Sequence, residues 1–133
     1  MRALIVYPKG GRLLVSAEDA KENALVTREI IEQYTTGLDP NKRRKFEEVR
    51  VVSDSEFVEC PDHLQWVSSC EFMCGGVIIF NSATVGLVEQ AKKTAKENQR
   101  IRVVIFTGLI PDGEVVFVSK GGISSIEALM NAC

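Results

Sequence analysis

Three groups of residues in this chain have the types and spacing that chemistry needs. The first is Lys9-Gly10-Gly11-Arg12 together with Asn81, Ser82, Thr84, Thr107 and Gly108, each set following an apolar run. Two cations, glycine amides and the start of a helix suit an anionic group such as a phosphate. The second is Cys60, His63, Cys70 and Cys74, spaced C-x2-H-x6-C-x3-C, whose thiolates and imidazole are donors that zinc prefers. The third pairs His63, the one histidine, with one of these cysteines as an activated nucleophile.

Each group also has a structural explanation. Asn81 and Ser82 stand where a helix needs its first amides capped, and Lys9 and Arg12 suit a solvated turn. In the cysteine group, Leu64, Trp66 and Val67 suit a core, and free buried cysteines behave as small apolar residues. Cys70 and Cys74 are four apart, so on a helix they share a face, where burial is reason enough for them. The sequence therefore predicts no structural zinc, with a zinc-binding domain as an alternative. A nucleophilic pair needs a distance that adjacent positions in a chain do not fix. Neither GxGxxG nor P-loop spacing occurs, which argues against a standard dinucleotide or triphosphate site.

The elements that must position these groups are legible in part. Val77 to Phe80 is a continuous apolar run between Gly75-Gly76 and a polar turn, the pattern of a strand buried on both faces. A helix follows from Thr84 to Asn98, with Val85, Val88, Ala91 and Ala95 on one face and a Glu89–Lys93 pair on the other. Ala3 to Tyr7 is a second buried strand. After Pro8, residues 8–15 form either a hairpin that buries Leu13-Leu14-Val15 or an anion-binding loop with free amides.

Ser16 and Asp19 have capping-box spacing and open a helix running to about Thr36, with Ala17, Ala20, Ala24, Ile31 and Tyr34 on one face. Lys42 to Lys45 is four cations in a row, best read as a solvated loop. Phe46 to Val52 has strand character, Ser53-Asp54-Ser55 closes it, and a loosely periodic helix runs from near Asp62 to about Met73. Arg102 to Phe106 is another strand. Pro111-Asp112-Gly113 is a strong turn signal, so Glu114 to Val118 is expected to pair back on it as an antiparallel hairpin. That direction would send Lys120-Gly121-Gly122 to the opposite rim from Lys9. Ser124 and Glu127 cap a last helix.

At 133 residues the chain makes one domain, 1–133, with enough length to bury its own core. A net charge of −2 argues against general affinity for nucleic acid or anionic membrane. The apolar opening is too short for a secretory signal or a membrane span, so a cytoplasmic setting with reduced cysteines is expected. Alternating strands and helices predict an α/β domain of three layers, resembling the flavodoxin-like and Rossmann-like architectures in order of elements alone. Its sheet would have about five mostly parallel strands, with the hairpin towards one edge. Two functional expectations follow. One is a small anionic metabolite, a nucleotide or other phosphate ester, bound at the C-terminal rim of the sheet. The other is a regulatory or assembly module acting through a homodimer, seeded by the apolar strand Glu114 to Val118. No general base stands out, so catalysis is left open.

Overall fold

The computed structural model describes residues 2–9, 17–36, 48–68, 76–81, 85–98, 100–106 and 116–118. In chain order these form β1 (Arg2–Tyr7), α1 (Ala17–Thr36), β2 (Glu48–Ser53), α2 (Asp54–Glu59), α3 (Asp62–Ser68), β3 (Val77–Asn81), α4 (Val85–Glu97), β4 (Arg102–Phe106) and β5 (Val116–Val118). The strands lie in the order β2-β1-β3-β4-β5, and every neighbouring pair is parallel. The fold is thus α/β, a parallel sheet with helices on both faces.

Why the strands are continuous apolar runs is clear from what covers them. Ala3, Ile5, Val77, Ile79 and Val104 face α1, where Ala20, Ala24 and Ile31 meet them. Leu4, Val6, Ile78, Phe80, Val103 and Ile105 point the other way, against Val67 of α3 and Leu87 and Ala91 of α4. A strand covered on both faces gains nothing from a polar residue at either parity. Phe57 of α2 extends the second layer edge-to-face on Phe80, with ring centroids 5.9 Å apart. The step from β1 to β2 carries α1 on one face. Those from β2 to β3 and from β3 to β4 run the opposite way and carry α3 and α4 on the other face. All three crossovers therefore have the same hand, as the near-universal right-handed rule requires.

Several expectations change in detail. β5 pairs with β4 in parallel, Ile105 level with Phe117, so the antiparallel hairpin is not formed. The turn signal at Pro111-Asp112-Gly113 lies outside the described residues. A turn does not compel its flanking strands to pair with each other. The helix α2 was not anticipated at all. α1 matches its expected span, and in α4 the deepest residues are Leu87 and Ala91, while Glu89 pairs with Lys92 at 3.7 Å. α3 begins at Asp62 as expected and is described to Ser68.

The N-terminal edge of the sheet is closed by Trp66. The Arg50 guanidinium stacks on its ring at 4.0 Å and that of Arg2 lies at 5.3 Å, while Arg2 Nη1 donates to the Trp66 carbonyl at 2.9 Å. These contacts fix α3 against β1 and β2 by cation–π attraction as well as by burial.

Candidate functional site

The candidate site is the opposite edge, where the parallel strands all end. Tyr7 is level with Ser53, Val6 with Phe80, and Asn81 with Phe106, so the last residues of β1 to β4 form one rim. From β1 the chain moves outward to β2, then crosses back to β3 on the other side. Strand order therefore reverses between the ends of β1 and β3, the usual ligand position in open α/β sheets.

Asn81 ends β3 with its side chain turned towards α1, and it is fully buried. Thr27 on α1 meets it: the Thr27 hydroxyl lies 3.2 Å from Asn81 Oδ1 and 2.9 Å from the carbonyl oxygen of Asn23. The Asn81 Nδ2 atom is buried and has no hydrogen-bond partner. A buried polar atom left without a partner costs about 1–3 kcal/mol, and buried polar groups rarely go without one.

On the β1 side, Pro8 is buried and Lys9 is exposed. The Lys9 backbone N–H donates to Asp54 Oδ1 at 3.1 Å, and the same oxygen accepts from Ser55 N at 2.8 Å. Of the amides expected to meet an anion, the one at Lys9 is thus already engaged, while its ammonium remains exposed. Ser53 caps α2, its Oγ accepting from Glu56 N at 3.2 Å and donating to Glu56 Oε1 at 3.1 Å. Asp54 and Glu56 give the β1–β2 side of the rim a negative character. Tyr7 registers it: burial, then Glu56, then Asp54 push its phenol pKa upward. Beyond these carboxylates a groove of about 370 Å³ runs between α2 and α4, lined by Asp54, Ser55, Val58, Glu59 and Gln90.

The structure thus brings Lys9 and Asn81 to neighbouring strand ends on one rim. Gly10, Gly11, Arg12, Ser82, Thr84, Thr107 and Gly108 lie outside the described residues, as does the choice between hairpin and loop over residues 10–15. Because β5 is parallel, its end at Val118 reaches this same rim. The expectation that strand direction sends Lys120-Gly121-Gly122 to the opposite rim from Lys9 therefore does not hold, although those three residues lie outside the described residues.

Sequence reasoning missed Thr27, Tyr7 and Asp54. Thr27 had a usable signal, since it stands in phase with Ala20, Ala24 and Ile31 as a polar residue inside an apolar stripe. Asp54 had one too, because Ser53 and Glu56 have the capping-box spacing that opens a helix.

Cys60 and His63 sit at the join between α2 and α3, where His63 N donates to the Cys60 carbonyl at 3.3 Å. The His63 Nδ1 atom is buried without a partner. Cys70 and Cys74 lie outside the described residues. Among the described residues no three His, Cys, Asp or Glu side chains cluster as metal ligands. No described helix is long and apolar enough to cross a membrane. Compared with protein-family models, curated proteins and solved structures, the chain matches none.

Proposed function

We propose that this chain is a doubly wound α/β domain, flavodoxin-like or Rossmann-like in layout, that binds a small phosphate-bearing metabolite at its C-terminal rim. The ligand is a nucleotide or another phosphate ester, lying between the ends of β1 and β3. The observation that carries this reading is Asn81, a buried carboxamide with an unpartnered atom at the position where strand order reverses. Lys9 at the end of β1 supplies a cation, and the chain adds Gly10, Gly11 and Arg12 directly after it. Ser82 and Thr84 precede the thirteen-residue α4, and Thr107 and Gly108 directly follow β4.

A thermal-shift screen over nucleotides, sugar phosphates and inorganic phosphate tests it, since a ligand that binds the folded state raises the midpoint by mass action. The expected result is a concentration-dependent rise that a Lys9→Ala, Arg12→Ala double variant reduces. No rise with any of these compounds, or rises unchanged in the double variant, overturns the site.

The second reading is an assembly module that pairs two copies of the chain. Its support is the position of β5 at the end of the described sheet, an apolar strand with no neighbour on its outer side among the described residues. A monomeric mass by light scattering across a wide concentration range removes it.

A further inference from the structure

Resting on the rim site proposed above, we infer that Asn81 selects the ligand by presenting its carbonyl oxygen, so that the ligand carries a hydroxyl beside its phosphate. Thr27 has a single hydroxyl proton and two acceptors within reach, the Asn23 carbonyl oxygen at 2.9 Å and Asn81 Oδ1 at 3.2 Å. It cannot serve both. The oxygen and nitrogen of a carboxamide have nearly the same shape, and which is which follows from the hydrogen-bond network.

With the amide turned about, Asn81 Nδ2 donates to Thr27 Oγ1 while the Thr27 hydroxyl donates to Asn23. Two bonds then stand where one stood. The atom left without a partner becomes the carbonyl oxygen, an acceptor, buried at the last residue of β3. An acceptor in that position calls for a donor.

The charges at the rim point the same way. Asp54 already holds the backbone N–H at the β1 end, so a carboxylate stands beside Lys9. A neutral hydroxyl is compatible with that carboxylate where a second anionic group is repelled. The ligand class is accordingly a phosphate ester whose carbon skeleton bears a hydroxyl, such as a sugar phosphate, a glycerol phosphate or a nucleotide. Inorganic phosphate and simple alkyl phosphates lack this feature.

The test titrates the whole chain with methyl phosphate and with glycerol 3-phosphate, which share the phosphate ester and differ in the hydroxyls. Glycerol 3-phosphate is expected to bind roughly three- to tenfold more tightly, the worth of one hydrogen bond. That advantage, read as the ratio of the two affinities, should vanish in Asn81→Leu. Equal affinities in the native chain overturn the inference and leave the rim site standing. Failure of either compound to bind, with the rest of the phosphate screen also negative, overturns both.

A second measurement uses no variant and no ligand. In the labelled native chain, strong NMR cross-peaks are expected between the Asn81 side-chain amide protons and the Thr27 methyl group. Amide protons that face away from Thr27 overturn the assignment of the carbonyl.

Discussion

Tyr7 ends β1 almost wholly buried, in the field of two carboxylates. Burial is the largest cause of its raised pKa, with Glu56 and Asp54 adding to it, and all three disfavour the phenolate. The folded chain therefore holds this proton more tightly than the unfolded chain does. Its contribution to stability is present in full below the ordinary value of 10.0 and is lost as pH rises through the folded value. The unfolding free energy should fall from about pH 10 upward, and less steeply in Tyr7→Phe. Phenolate absorbance should show Tyr7 ionising above 10.0, as the signal lost in Tyr7→Phe. If the variant leaves both the slope and the titration unchanged, the carboxylates and the burial are not acting on it. At this scale the sequence singled out Lys9 and Asn81 because residues after an apolar run fall at strand ends. Thr27, Tyr7 and Asp54 reach the site through packing between elements, which spacing along one element does not reveal.

Among the elements, the approach of α3 and β1 to Gly76, just before β3, leaves no room for a side chain. A Cβ built on Gly76 would lie 2.5 Å from Val67 Cγ2 and 2.8 Å from the Arg2 carbonyl oxygen, and would also collide with the Val67 carbonyl oxygen. Two of these three are backbone atoms, which cannot swing aside. Gly76 also anchors β4, since its carbonyl accepts from Arg102 N at 3.1 Å. Gly76→Ala should destabilise the chain by about 1–3 kcal/mol or more, the range for overpacking a filled core. Urea denaturation measures it, and an unchanged midpoint would mean that α3 does not sit against β1 and β3 as described. The long helices were legible because α1 and α4 each lay a stripe on a sheet. α2 was not, because it has six residues and buries none of them fully. A stripe needs more turns than that.

For the whole molecule, the expected class was right and the direction of the last strand was not. Composition and the alternation of elements give an α/β domain. Strand direction depends on where a connection goes after it leaves the sheet, and a Pro-Asp-Gly turn specifies only its own few residues. The resulting order makes a prediction about protection. Among the described strands β1, β3 and β4 each have a neighbour on both sides, while β2 and β5 lie at the ends. Amide hydrogen exchange should therefore be slowest in Ala3 to Val6 and Val77 to Phe80, and should begin in β5 and β2. Exchange in Val116 to Val118 as slow as in β1 would mean that β5 is not an edge.

The place of β1 has a consequence for how the chain is made. It comes first of the described strands, yet it lies between β2 and β3, and both of its faces are covered only by elements that follow it. At about 5–20 residues per second, synthesis leaves it waiting roughly two to nine seconds before Ser53 completes its first partner. Throughout that wait Ala3 to Pro8 is an uncovered apolar run, the kind of segment that recruits other chains. A charge brackets it on each side, Arg2 before and Lys9 after, where gatekeeping charges keep nascent strands apart. Lys9 thus guards the chain before the rim has formed, and replacing it should lower soluble yield even where the finished fold is unharmed.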